Sequence, residues 1–245
     1  MPQTTTPTKW KDVPTHYCPG CHHGIAHQMV ARVLDNLGLA KDTLLASSIG
    51  CSGLGYYYID FDSVESPHGR APAVATGLKR ARPDKMVFTY QGDGDLASIG
   101  MGEIMHAAMR GEKITVIFVN NAIYGMTGGQ MAPTTMSGQV TSTTPLGRDP
   151  EFTGYPAKIA EMVAAFEGCA FCSRVALNNI KHIKQAEKAV KKAFELQKEN
   201  KGFTLVELLS TCPSGWKLSP LQANDYIETN MIPNFPLGTF KDTEV

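Results

Sequence analysis

Residues 85–125, KMVFTYQGDGDLASIGMGEIMHAAMRGEKITVIFVNNAIYG, decide the fold. Two apolar runs, KMVFTYQ and ITVIFVN, are short and rich in β-branched and aromatic side chains, and they read as buried strands. The stretch between them, residues 96–110, carries a helical pattern. Strand, helix and strand in this order form a crossover that lays the two strands parallel. Each strand then ends on polar residues, Gly92-Asp93-Gly94 after the first and Asn120-Asn121 after the second. Parallel sheets place ligands at the carboxyl ends of their strands, so both groups belong to one candidate site.

Working outward, TLLASSI (43–49), AFCSRVAL (170–177) and FTLVELL (203–209) read as further strands, separated by helical stretches around 69–82, 156–167 and 180–199. From His22 to Leu37 the residues Ile25, Met29, Val30, Val33, Leu34 and Leu37 recur at helical spacing, and Gly38 supplies the stop. The expected fold is α/β, a mostly parallel sheet with helices on both faces. Residues 120–156 are rich in Gly, Pro and Thr and lack periodicity; a loop of that length inside a compact domain is functional or disordered. Residues 1–14 are expected to be a tail and residues 15–245 a single domain.

With 23 basic and 23 acidic residues among 245, the chain has no global charge directed at nucleic acid or an anionic membrane. The opening MPQTTTPTKWKDVPT lacks the features of a secretory signal, and no apolar stretch is long enough to span a bilayer, so a cytoplasmic protein is expected. In that reducing setting the six cysteines are expected to be metal ligands, catalytic thiols or core residues rather than a disulfide framework.

The chemistry of the two strand ends is specific. Glycines at 92 and 94 let a phosphate approach the backbone, and the helix beginning near Leu96 aims its N-terminus at the anion. Asp93 and the Asn121 side-chain oxygen are hard ligands of the kind Mg²⁺ takes, with a backbone carbonyl such as that of Ile123 as a third. Each group alone would be a turn or a loop entry. Together, one helix and one strand apart, they resemble the G-D-G … N-N motif of thiamine-diphosphate enzymes. In those enzymes a second domain contacts the aminopyrimidine and supplies an activating glutamate. This sequence shows neither, so another polypeptide is expected to supply both.

Cys51 and Cys212 follow strands at that same end of the sheet, and Cys18 and Cys21 lie in the loop entering the first helix. Cys169 precedes its strand at the opposite end and Cys172 lies within it; both are expected in the core. Four convergent thiols suit Zn²⁺ or a [4Fe–4S] cluster equally, and C-x-x-C before a helix also suits a thioredoxin-like pair, which leaves Cys51 and Cys212 unexplained. An electron acceptor beside a thiamine site favours iron–sulfur.

The motifs CPGCHHG, GCSGLGYY, HGRAPAVATG, YQGDGDLASIG, NNAIYGMTGGQMAPTT and STCPSGW, in that order and over nearly the whole chain, resemble the β subunits of 2-oxoacid:ferredoxin oxidoreductases. The resemblance implies that Cys18, Cys21, Cys51 and Cys212 hold one [4Fe–4S] cluster and that Asp93, Asn121 and Ile123 hold Mg²⁺. It places Gly50, Cys51, Ser52, His68, Gly69, Gly92, Gly94, Asp95, Gly125, Met126 and Thr127 around thiamine diphosphate, with His68 as the catalytic candidate. It implies oxidative decarboxylation of a 2-oxoacid to acyl-CoA and CO₂, with coenzyme A and ferredoxin as reactants. An α subunit would carry the pyrimidine-side domain and the glutamate, alongside γ and δ subunits. Where many of that family have glycine after the second cysteine, this chain has His22, expected to alter cluster solvation.

Met126-Thr127 replaces the Asn-Thr pair of pyruvate-type relatives, and the MIPNFPLG ending resembles the branched-chain type that acts on 3-methyl-2-oxobutanoate; the 2-oxoglutarate type is the alternative. Two other classes stay open, a non-redox thiamine enzyme subunit and a zinc-stabilised binding module. Arg70 reads as a helix-cap residue or a phosphate contact. His22, His23 and His27 are expected on the helix surface or shielding a cluster, and the basic helix at 181–201 presents a solvated face.

Overall fold

The structure, a computed structural model, describes residues 6–244. Seven strands form one sheet: β1 (Thr43–Ser47), β2 (Asp62–Glu65), β3 (Met86–Gly92), β4 (Thr115–Asn120), β5 (Cys169–Ala176), β6 (Phe203–Leu209) and β7 (Gly238–Asp242). Their order is β2-β1-β3-β4-β6-β5-β7, with all neighbours parallel except the antiparallel β5–β7 pair. The helices are α1 (His23–Asn36), α2 (Ala71–Ala81), α3 (Met101–Met109), α4 (Pro150–Thr153), α5 (Ile159–Ala164), α6 (Ile180–Lys198), α7 (Pro213–Trp216), α8 (Pro220–Tyr226) and α9 (Ile232–Asn234).

The central strands are apolar without a break because both faces are covered. In β4, Ile117 and Val119 face a core completed by Met29, Val33 and Leu34 of α1 and Val190 and Phe194 of α6. Val116 and Phe118 face the opposite core, completed by Ala75 of α2, Ile104 and Ala108 of α3 and Ile159 and Val163 of α5. Each such fully buried aliphatic or aromatic side chain contributes about 1.5–3 kcal/mol. The α/β architecture and the five strands read from apolar runs match the structure. Cys169 and Cys172 lie in the second core, as expected of small buried residues.

Three features depart from the sequence reading. The strands β2 and β7 carry no continuous apolar run, being edge strands with one side open, and they were not expected. The C-terminal segment is helical from Pro213 to Trp216 and again through α8 and α9, covering a third core of Ala122, Met136, Leu209, Ile227, Met231 and Phe235 over the carboxyl end of the sheet. The helix expected at 96–110 opens as a wide π-turn, Asp95–Ile99, before α3. Of the tail expected at 1–14, residues 1–5 lie outside the described residues. The remainder is docked: Lys11 N–H donates to the Tyr58 carbonyl at 2.8 Å, Asp60 N–H donates to the Lys9 carbonyl at 2.7 Å, and Trp10 packs on the first core.

Residues 121–149 stay irregular but are fixed from inside by Arg148. Its guanidinium is buried and donates to the carbonyls of Pro133 (2.9 Å), Gly154 (3.1 Å), Tyr155 (3.1 Å), Thr153 (3.3 Å), Ala132 (3.4 Å) and Thr135. Five donors in a rigid fork join acceptors from both ends of a segment that has little secondary structure to hold it.

Candidate functional site

The registers Ser47↔Tyr90, Gly92↔Val119 and Asn120↔Leu209 bring β1, β3, β4 and β6 to an end along one line. Beyond that line lies a cleft of about 200 Å³. Its walls are Gly50, Cys51, Ser52, His68, Gly92, Asp93, Gly94, Asp95, Asn121, Ile123, Gly125, Met126 and Thr127, together with His23, Ile49, Ser98, Ile99 and Tyr124. Thirteen of the expected site residues thus meet in one place; Gly69, Cys18, Cys21 and Cys212 do not line it.

Asp93 is 3% exposed, and burial pushes its carboxyl up to about 6 against the bonds that favour its charge. Those bonds come from Thr134 Oγ1 (2.9 Å), Gly94 N–H (3.0 Å) and Ile123 N–H (3.3 Å). The next turn is built on Ala122, whose φ of 57° is left-handed and costs on the order of 1 kcal/mol for a non-glycine residue. Asn120 Oδ1 accepts from Ala122 N–H at 3.1 Å, and Thr135 Oγ1 and Gln139 Nε2 donate to its carbonyl, so the strain is held by surrounding bonds. The turn faces the Asn121 side chain toward the Ile123 carbonyl, 2.7 Å away, and Asp93 Oδ2, 3.3 Å away. With its amide nitrogen there, Asn121 donates to both; with its oxygen there, Oδ1 accepts from Ile123 N–H at 3.3 Å and three oxygens converge, an arrangement that a cation would stabilise. The donor set fits Mg²⁺.

Asp95 lines the cleft and also holds its rim together. Its buried carboxylate accepts from Gln91 Nε2 (2.6 Å), His68 Nδ1 (2.7 Å), Gly69 N–H (2.8 Å) and Ile49 N–H (3.4 Å). It thereby ties three loops around the cleft and fixes the His68 tautomer with Nδ1 protonated. Gly69, at φ 80°, packs against Ile99 and Gly100 so closely that a Cβ would come within 2.6 Å of the Ile99 side chain. Its role is this close approach, not the cleft wall. Arg70 stands at the N-cap of α2 without a side-chain cap bond and pairs with Glu103.

The four thiols are free and mutually felt. Burial, with repulsion from Cys51 and Cys18, pushes Cys21 up to about 12; burial, with repulsion from Cys21 and Cys51, pushes Cys212 up to about 12; Cys51 is raised by burial and by Cys18. Buried as they are, these groups stay protonated in the free chain, and a positive centre between them would be what draws them into the thiolate form. The Cys212 sulfur occupies space that glycines leave open: a Cβ on Gly125 would stand 2.8 Å from it, and one on Gly215 2.7 Å. Gly125 also lines the cleft, so the thiol set and the oxygen set share a wall. Among the described residues no group of three or more His, Cys, Asp or Glu side chains is placed so that it could hold a metal ion. The donor chemistry and the glycine-made space fit a polynuclear centre.

Sequence reasoning missed what lies under the thiols. His22, His23 and His27 are buried, not on the helix surface. Burial holds their rings neutral, His22 down to about 4 and His23 down to about 3, with His27 also well below the usual imidazole range. His23 lines the cleft, its Nδ1 lies 2.9 Å from the Tyr90 hydroxyl, and it stacks on Tyr17, whose hydroxyl donates to the Cys51 carbonyl at 2.9 Å. Among the described residues neither ring nitrogen of His27 has a hydrogen-bond partner. Glu207 was missed too: it accepts from Asn120 Nδ2 at 2.7 Å and pairs with buried Arg174 at 2.9 Å, which anchors the metal-side turn to the core.

Residues 46–208 match the family described as "Thiamine pyrophosphate enzyme, C-terminal TPP binding domain". The chain is 47% identical over 228 residues to the ketoisovalerate oxidoreductase subunit VorA of Methanothermobacter thermautotrophicus, covering 93% of this chain and 48% of that protein. It is 36% identical over 219 residues to the 2-oxoglutarate synthase subunit KorB of Archaeoglobus fulgidus, covering 89% of this chain and 77% of that protein. A solved 2-oxoglutarate:ferredoxin oxidoreductase from Magnetococcus marinus superposes with a TM-score of 0.80 at 28% identity, covering 99% of this chain and 87% of that one. This chain spans about half the length of the ketoisovalerate oxidoreductase subunits it matches. The chain belongs to the thiamine pyrophosphate enzyme family, and within it to the subunits of 2-oxoacid oxidoreductases that carry this TPP-binding domain.

Proposed function

We propose that this chain is the β subunit of a coenzyme A-dependent 2-oxoacid:ferredoxin oxidoreductase working in the cytoplasm. The reaction converts 3-methyl-2-oxobutanoate and coenzyme A to 2-methylpropanoyl-CoA and CO₂, and two electrons leave singly through a [4Fe–4S] cluster to ferredoxin. The observation that carries the reading is the wall shared by the two donor sets: oxygens of Asp93, Asn121 and Ile123 on one side of Gly125, and the Cys212 sulfur on the other. The 47% identity to ketoisovalerate oxidoreductase subunits supports the branched-chain acid. The 36% identity to a 2-oxoglutarate synthase subunit, and the likeness to a solved 2-oxoglutarate enzyme, favour 2-oxoglutarate as the second reading.

Bound thiamine diphosphate supplies the electron sink for decarboxylation. This chain's residues hold its diphosphate end. Asp93, Asn121 and the Ile123 carbonyl take Mg²⁺, Gly92 and Gly94 admit the phosphates to the backbone, and Gly50, Ser52 and Thr127 border them. His68, oriented by Asp95, presents Nε2 to the cleft as the acid–base group. Cys18, Cys21, Cys51 and Cys212 ligate the cluster. A cleft of about 200 Å³ is smaller than the roughly 300–1,000 Å³ of complete small-molecule sites, which supports a wall contributed by an α subunit with the activating glutamate. Residues 15–245 act as one domain within that assembly, with γ and δ subunits as further members. No helix among the described residues is long and apolar enough to cross a membrane.

Anaerobic co-expression with neighbouring subunits, followed by dye reduction with a panel of 2-oxoacids, tests the reading. Reduction that requires coenzyme A and is fastest with 3-methyl-2-oxobutanoate is expected. Fastest turnover of 2-oxoglutarate establishes the second reading. A colourless protein with stoichiometric zinc, or reduction indifferent to coenzyme A, overturns both.

A further inference from the structure

We propose that His22 is a positioning residue that sets the spacing between the Cys18–Cys21 loop and Cys212 by gripping the backbone of Thr211. The inference rests on the reading of the four thiols as one ligand set. His22 directly follows Cys21 and Thr211 directly precedes Cys212, yet 189 residues separate them in the chain. Asn224 Oδ1 can only accept, so His22 Nε2, 2.9 Å away, carries the ring proton and Nδ1 is left as an acceptor. That acceptor takes the Thr211 N–H at 3.4 Å. The Thr211 hydroxyl donates to the Gly20 carbonyl at 2.6 Å, so the cysteine loop holds Thr211 by both its backbone and its side chain. A third seam runs beside these two bonds. Gly20, at φ 81°, lies so close to α8 that a Cβ would stand 2.6 Å from Pro220 Cβ, and α8 carries Asn224.

None of these contacts involves a metal. The two loops are therefore registered before any cluster is assembled, and the cluster meets thiols already at their working separation. Removing the ring leaves the Thr211 N–H, in a buried position, without its acceptor and leaves one hydrogen bond between the loops. Supporting groups of this kind change metal retention by about 10- to 100-fold.

The test compares native full-length chain with H22G, H22N and N224A, all handled anaerobically. Asn at 22 places Oδ1 where His places Nδ1, whereas Gly removes the acceptor. In the metal-free chain, exchange of the Thr211 amide hydrogen is expected to be slow in the native protein, fast in H22G and slow again in H22N. In the cluster-loaded chain, a ferrous chelator is expected to strip iron at least about tenfold faster from H22G, with N224A intermediate and H22N near native. The reduced-cluster electron paramagnetic resonance spectrum should shift in H22G and return in H22N. Equal exchange and equal iron loss in native and H22G, or an H22N no better than H22G, overturns the proposal. H22N and N224A decide the matter should H22G fail to fold. A native chain without iron and sulfide defeats the reading of the thiols, and Thr211 exchange then judges the clamp by itself.

Discussion

Asp93 is a buried carboxylate with no counter-ion among the described residues, and a cation held with Asn121 and the Ile123 carbonyl would neutralise it. Burial raises its proton affinity, so below about pH 6 a proton competes with the metal. Mg²⁺ with thiamine diphosphate is expected to raise the thermal midpoint of the isolated chain strongly at pH 7.5 and little at pH 5, and not at all in Asp93→Asn; a pH-independent gain would contradict the assignment. Gly125→Ala places a methyl 2.8 Å from the Cys212 sulfur. Its expected effect is a loss of bound iron, measured per chain, with little change in far-ultraviolet circular dichroism. Asp93 and Asn121 were legible because strand-end position and residue type state their chemistry together. The parts played by Asp95 and Ala122 were not, because a hub of four donors and a left-handed turn exist only once distant loops meet.

At the scale of elements, the 121–149 loop depends on one side chain. Arg148 donates to six carbonyls of the segment, of which those of Ala132 and Pro133 also accept a backbone N–H. Arg148→Ala is expected to cost at least about 3 kcal/mol, read from the urea midpoint, and to open the loop to limited proteolysis before global unfolding. Cleavage elsewhere first would contradict this role. Sequence periodicity marked β3, β4 and α1, whose burial on one face or both is written in their apolar residues. It did not mark β2, whose four residues are all exposed, or α7 to α9, which are short and gain their burial against Ala122, Met136 and Leu209 rather than from a pattern of their own.

Across the whole molecule, three neutral imidazoles lie beneath the thiols, and this sets a direction for stability against pH. The folded state lowers each ring's proton affinity, so the unfolded chain binds protons that the folded chain refuses. Stability is therefore full above about pH 6.5 and falls as the pH drops toward 4 and 3, by up to about 1.4 kcal/mol per pH unit for each group. The urea midpoint of the metal-free chain should decline from pH 7 to pH 5, and His27→Phe, which removes a ring with unpaired nitrogens, should flatten the slope. An unchanged slope in that variant would show that His27 titrates normally in the folded state.

The sequence by itself determined the parallel α/β sheet and the polar strand ends after β3 and β4, and it singled out four of the six cysteines as candidates, because each of these follows from local periodicity and from which end of a strand a residue occupies. Only the tertiary structure decided that the three histidines are buried and neutral, that Asp95 and Arg148 hold the loops, and that Cys212 abuts Gly125, which lines the cleft with Asp93 and Asn121. Those facts depend on packing between segments up to two hundred residues apart, where burial and close approach, not residue type, set the chemistry.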